Sequence, residues 1–406
     1  MNKRITSMLA LSASIFLSSP ALSSEKDSAF VPFYFSTDTL GSTVGVAGVA
    51  KGVGQPQAAL FGMGLYSEKD SYIGFLSAFN YALSPNVLFS TQMYQARFND
   101  SPYYLGEQGD NNSSFESQTI TNSDEQKYKF EFKYLLPWGA VKDHGLKGAF
   151  LPSRDVRNAS PLASGVSSIL LTPFYSSRAL DVYNDRKEQA YGFTLGFDWD
   201  NRDSARNTTR GSHTSLNLTT GAESWQSEEL WLKWEFQNSQ YYSLGPLGDW
   251  FDQQVLALDF YTADTPTWNQ CDGVVCSRPP EQEQVRLGGL YRLRGYTAGR
   301  YHGRSAIHYS AEYRVLPDWQ PLDDIPIINY YDIPIINYYD MPWWQWVAFV
   351  EVGRVADEYD LKTLHEDMKW SVGGAVRFQV EGVVVRAEVA KGADEGTFRV
   401  MINQPF

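Results

Sequence analysis

The chain has 406 residues, 34 basic and 47 acidic, for a formal net charge of −13, with 15% aromatic and 20% charged residues. The aromatic load excludes a disordered chain, and a mean hydropathy of −0.35 excludes a bundle of membrane-spanning helices. The acidic balance excludes a protein that tracks a nucleic-acid backbone.

Lys3 and Arg4, the apolar stretch Met8 to Leu17 and the small-residue pattern Ala21-Leu22-Ser23 read as a secretory signal peptide over residues 1–23. Beyond it no apolar run reaches the roughly 18 residues of a spanning helix. Residues 24–38 are expected to form a short periplasmic segment, and 39–406 the folded body.

That body alternates with period two in segments of about ten residues, the length of a tilted strand crossing a bilayer. Sixteen segments follow one another, at 39–50, 57–66, 71–82, 86–98, 126–136, 166–178, 190–200, 211–221, 228–241, 252–264, 282–288, 304–315, 343–355, 368–380, 382–391 and 397–406. In the fifth, Tyr128, Phe130, Phe132 and Tyr134 oppose Lys127, Lys129, Glu131 and Lys133. In the seventh, Tyr191, Phe193, Leu195, Phe197 and Trp199 oppose Gly192, Thr194, Gly196, Asp198 and Asp200. Aromatic apolar faces set against glycine and charge point to lipid on one side and a wet lumen on the other. The fold class is therefore all-β, a single sixteen-stranded antiparallel transmembrane β-barrel; an even count suits a single-chain barrel with both ends on one side.

Cys271 and Cys276 lie in a Pro-rich, turn-like stretch and read as a structural disulfide of an exported chain rather than free thiols. Four intervening residues and no nearby histidine argue against zinc. His302 and His308 lack a third ligand at motif spacing, and no nucleophile elbow, zinc-protease helix or phosphate loop is present. The reading is a protein without enzyme activity, cofactor or metal.

The informative stretch is Arg286-Leu-Gly-Gly-Leu-Tyr-Arg-Leu-Arg-Gly-Tyr296. Leu293-Arg294-Gly295-Tyr296 resembles the signature tetrapeptide of the bacterial surface-antigen superfamily of outer-membrane assembly and translocation barrels, the family of BamA and TamA. Phe349-Val-Glu351-Val-Gly353 is similar to its next motif, and Asp200-Asn-Arg-Asp203 with Gly211 to its middle strand-turn-strand pattern. A final strand closing on Phe406 resembles the C-terminal signal of outer-membrane barrels. The resemblance implies that the loop at 288–303 folds into the lumen and that Arg294 pairs there with acids of the inner wall. Strand parity puts Glu351 and Glu312 on the inner face, and Gly295 would serve the tight loop tip.

The chain departs from the family in having Glu351 where Asp is commoner, Gln404 and Pro405 in the closing strand, and no periplasmic docking domains before the first segment. The resemblance implies a protein of the bacterial outer membrane that helps insert, assemble or translocate proteins, with lipids as a second cargo class, through a deformable seam between first and last strands. A passive or gated transport pore plugged by the loop is the alternative; a purely structural or anchoring barrel would not need the loop motifs. Expected partners are outer-membrane lipids, client membrane proteins and a second copy in a homodimer.

The insertion at 317–342 contains a perfect tandem octapeptide, Asp324-Ile-Pro-Ile-Ile-Asn-Tyr-Tyr331 repeated as 332–339. It reads as a duplication in a tolerant turn, with an aromatic contact surface of Tyr330, Tyr331, Tyr338, Tyr339, Trp343 and Trp344 as the sharper alternative. Deletion of 332–339 is expected to leave folding unchanged, read as retained heat-modifiable electrophoretic mobility. Loss of the folded band or of a native oligomer would establish the contact surface instead.

Overall fold

The computed structural model describes residues 28–37, 40–156, 159–184, 186–223, 230–273, 275–319, 342–380, 383–402 and 405–406. The signal segment 1–23 and the octapeptide repeat at 324–339 lie outside them. Twenty strands are present among the described residues: β1 (Ser28–Thr37), β2 (Gly41–Lys51), β3 (Ala59–Ser67), β4 (Tyr72–Ser84), β5 (Val87–Tyr103), β6 (Thr119–Leu135), β7 (Val166–Leu180), β8 (Lys187–Arg202), β9 (Gly211–Ala222) and β10 (Trp231–Ser243). They continue with β11 (Phe251–Asp264), β12 (Cys271–Asp272), β13 (Val275–Cys276), β14 (Val285–Leu287), β15 (Tyr301–Gly303), β16 (Ser305–Pro317), β17 (Trp344–Ala356), β18 (Lys369–Val380), β19 (Val383–Lys391) and β20 (Gly396–Ile402).

Sixteen of these form one antiparallel sheet, running β1 to β11 and then β16 to β20 in chain order. Between β11 and β16 the chain makes two small hairpins, β12–β13 and β14–β15, outside the large sheet. No ladder joins β1 to β20 among the described residues.

Period-two alternation fixes what each face meets. Phe130, Phe132, Phe193, Leu195, Leu216, Leu218, Trp346, Val350 and Val372 are exposed on the outside. An apolar band of this extent belongs in lipid. The inner face buries polar and charged groups, among them Arg178, Lys233, Glu312, Arg314, Glu351, Arg377, Arg386 and Glu388. Such burial is tolerated because most of these groups are hydrogen-bonded or ion-paired.

Two segments differ from the sequence expectation. Residues 28–37, expected as a periplasmic lead-in, form β1 and pair with β2 from Ser28↔Ala50 to Thr37↔Gly41. Pro32 masked the strand pattern, yet a residue without an amide hydrogen is admissible on an edge strand. Residues 282–288, expected as the eleventh wall strand, contribute only β14, paired with β15. Val285 and Leu287 are both buried with Tyr261 and Val355 inside the barrel, so the segment has no lipid face. The count of sixteen stands with one member exchanged.

The closing strand is also shorter than expected. Among the described residues β20 runs to Ile402, and Phe406 packs inside the barrel against Tyr241, Val255 and Ala257. Arg314 Nη2 donates to the Phe406 oxygen at 3.3 Å. Pro405, unable to donate, does not extend the ladder. Phe406 therefore does not complete the wall in the manner of a terminal strand residue.

Val350 lies midway along β17 on the outer face. Val350→Arg is expected to cost about 2–4 kcal/mol if that level is the bilayer midplane, measured by reversible urea unfolding in lipid vesicles.

Candidate functional site

The connection from β11 to β16 returns into the lumen, and its tip is the 293–296 tetrapeptide. Leu293, Arg294 and Tyr296 are each fully buried. Leu293 and Tyr296 join Tyr261, Tyr301 and Val355 in an apolar cluster that packs the loop against β11 and β17. The requirement for glycine at 295 is one of close approach, not left-handed backbone: a Cβ there would stand 2.4 Å from Gly392 N and 2.5 Å from Lys391 C at the end of β19. Gly288 and Gly289 do adopt φ of 94° and 121°, where L side chains are strained.

The buried loop tip sets Arg294 among three carboxylates. Its Nε donates to Glu351 Oε1 at 2.9 Å, and its Nη1 to Glu312 Oε1 at 2.6 Å and Glu388 Oε2 at 3.0 Å. The Arg294 amide donates to Glu351 Oε2 at 2.6 Å, so Glu351 holds both backbone and side chain. The guanidinium also lies over the Phe349 ring, 3.6 Å from its centroid. Burial alone would depress its basicity, but Glu351, Glu388 and Glu312 raise it above the usual arginine value.

Alternation along β16, β17 and β19 delivers these acids to the lumen. Ser310 faces Glu351 across β16–β17, and Glu351 faces Ser371 across β17–β18. Ser371 Oγ donates to Glu351 Oε2 at 2.6 Å. Arg314 bonds Glu312, and Arg386 bonds both Glu312 and Glu388. Three arginines thus face three glutamates, a pairing that offsets desolvation only because nearly every donor has an acceptor.

Sequence reasoning named Arg294, Glu351 and Glu312, which the structure brings together, but not Glu388, Arg386 or Arg399. Their signal was available: Arg386 and Glu388 alternate with Val385, Ala387 and Val389. Arg399 of β20 donates to the carbonyls of Gly289, Arg294 and Tyr296. His308 Nε2 accepts the Leu293 amide at 3.3 Å, whereas His302 bonds the Tyr104 carbonyl and Gln284; the two histidines serve different contacts. Cys271 and Cys276 are disulfide-bonded across β12–β13.

The loop is also anchored to the far wall. Arg178 bonds Glu281 at 2.8 Å and Lys127 bonds Glu283 at 2.6 Å. Burial alone would raise the Glu283 carboxyl, yet Lys127 and Lys233 hold it down at about 2. Arg300 bonds Ser113 and stacks on Tyr104. Burial pushes the Glu395 carboxyl up, although it accepts the Thr297 amide at 2.7 Å.

Together these features define an outer-membrane barrel whose lumen is crossed by its own loop and fastened by a buried arginine. The Omp85 superfamily domain matches residues 88–391, more than half of the chain, and the chain belongs to that superfamily. It is a protein of the bacterial outer membrane. The fold is similar to that of CdiB from Acinetobacter baumannii (TM-score 0.54, 12% identity, 93% of this chain and 59% of that one). It is similar also to CdiB from Escherichia coli (TM-score 0.53, 11% identity, 92% and 61%). BamA from Haemophilus ducreyi lacking POTRA domains 1-3 matches at TM-score 0.50 and 12% identity, over 93% of this chain and 70% of that one. The chain thus spans less than two thirds of the two CdiB chains. No curated sequence matches.

Arg294→Ala strands Glu351, Glu312 and Glu388 with fewer cations. It is expected to lower the free energy of unfolding by about 3–5 kcal/mol and to expose the loop to protease while the barrel stays folded. Limited proteolysis beside urea unfolding checks both effects; an unchanged cleavage pattern would contradict the lock.

Proposed function

We propose that this chain helps proteins insert into, or cross, the outer membrane by parting the wall between β1 and β20 as the Arg294 loop is released. The observation that carries this reading is the placement of the loop's bonds. Glu388 on β19 and Arg399 on β20 hold the loop tip, and β20 is the strand at the end of the sheet order. Thr397 Oγ1, also on β20, donates to the Arg294 carbonyl at 2.7 Å. Movement of β20 therefore strains the lock, and release of the lock removes side-chain bonds from β20.

The edge itself is weak by composition. Pro32 on β1 has no amide hydrogen, and Pro405 follows β20. A client strand offered to such an edge gains main-chain hydrogen bonds by strand addition. In this reading residues 1–23 direct export, client membrane proteins and outer-membrane lipids meet at the seam, and a second copy associates as a homodimer. Arg294, Glu351 and Glu312 act as the lock, and the protein does no covalent chemistry.

The test is reconstitution of the purified chain in liposomes, followed by addition of a second, unfolded barrel protein. Folding of that client, read by heat-modifiable mobility, is expected to accelerate at least about tenfold, and more with Arg294→Ala at equal amounts of folded protein. No acceleration, together with large steady single-channel conductance, would overturn the proposal in favour of a loop-plugged transport pore.

A further inference from the structure

The connection from β8 to β9, residues 203–210, lies at the rim where β1 starts, the periplasmic rim of a barrel with both ends on that side. It does not follow the wall but leans across the mouth to the inner faces of β11, β17 and β18. Asn207 Nδ2 donates to Gln253 Oε1 at 3.1 Å. Gln345 Nε2 donates to Asn207 Oδ1 at 2.7 Å and to Gln253 Oε1 at 3.0 Å. Arg377 Nη2 donates to the Arg206 carbonyl at 2.8 Å. In the sheet β9 is the ninth strand and β18 the fourteenth, so these bonds cross the opening rather than join neighbours. Gln345 and Arg377 are both fully buried, and Gln345 lies nearer the rim than Glu351 on the same face of β17.

The turn is stiff in itself and firmly rooted. Asp203 Oδ1 accepts the Ser204 and Thr209 amides at 2.8 and 2.9 Å, and its Oδ2 accepts the Thr209 hydroxyl. The Asp203 amide donates to the Arg210 carbonyl at 3.0 Å and closes the base. A carboxylate bonded to its own following backbone holds such a turn as one body. Just before it, Asp200 pairs with Arg202 at 2.8 Å and with Arg154 at 3.1 Å.

The far side is tied differently. There the turn offers only the neutral side chain of Asn207 and the carbonyl of Arg206, groups for which water substitutes at small net cost. Arg377 Nε and Nη1 are buried without a hydrogen-bond partner among the described residues. Water admitted on opening would bond both, offsetting the lost bond to Arg206. A rigid body with a strong root and weak distal bonds is built to swing, as loops that gate active sites do. We propose that residues 203–210 form a gate over the periplasmic mouth, swinging off β11, β17 and β18 to open the lumen beneath the Arg294 loop. Gln253, Gln345 and Arg377 are not among the groups that bond Arg294, so the gate is separate from the lock and independent of whether the seam parts.

The test uses the full chain in lipid nanodiscs. Both cysteines of the chain are in the disulfide, so introduced thiols take spin labels selectively. Labels are placed by Ala205→Cys in the turn and Asp318→Cys on the exposed rim beyond β16, and their separation is read by double electron–electron resonance. Two populations are expected, the minor one longer by at least about 10 Å. Its share is expected to rise at least about threefold when Asn207→Leu/Gln345→Leu removes the amide bonds. Should that variant not fold, Asn207→Leu alone carries the comparison. The pair Arg210→Cys/Asp318→Cys, at the root of the turn, is expected to give one unchanged distance. A single distance for the first pair in every sample, or a longer share that the variants leave unchanged, overturns the gate. A matching second population for the root pair overturns it also, since the wall and not the turn would then be moving.

Discussion

A guanidinium sealed from solvent inside a membrane barrel is the constraint on which the rest of the structure turns. Arg294 has no exposed surface, and an unpaired charge there would be among the costliest features a fold can carry. The barrel answers with carboxylates on three different strands, Glu312 on β16, Glu351 on β17 and Glu388 on β19. Because those acids come from strands that must be in register to converge, the loop contact also fixes the relative height of β16, β17 and β19.

The loop does more than fill space. At one end Arg294, Tyr296 and Thr297 bind the wall made by β16 to β20 and its last turn, with Tyr296 OH accepting the Ala393 amide at 3.0 Å. At the other, Glu281, Glu283, Arg300 and His302 bind β6, β7 and the 104–118 loop. It is a brace across the lumen, ionic at both ends, with Val285, Leu287 and Leu293 packed in an apolar cluster between them. One foot of the brace stands on β20, the last strand of the sheet order, through Thr397 and Arg399.

Charge in the lumen is unevenly spread. Near Arg294 three arginines pair with three glutamates, while Arg377 and Arg399 beside them donate to backbone carbonyls instead. Phe406 adds a further contact, placing its ring 5.2 Å from the Arg314 guanidinium beside the aromatic and aliphatic groups of β10 and β11.

The sequence alone determined which residues face lipid and which face the lumen. A period of two leaves no other choice once one face is aromatic, and this legibility extends to Glu351, Glu312 and the tetrapeptide motif. It could not tell a wall strand from a luminal hairpin at 282–288, because burial on both faces depends on what surrounds the segment. Nor could it see β1 behind Pro32, since proline is accepted in a strand only at an edge, a strand start or a bulge, and which of these a segment occupies is decided by its neighbours. Glu388, Arg386 and Arg399 alternate as plainly as Glu351 does, but strand parity assigns a face and not a height or a partner. Which acids meet Arg294, why Gly295 must be glycine, and why Phe406 turns inward were decided by strand register and by the loop's path across the lumen, both properties of contacts between residues far apart in the chain.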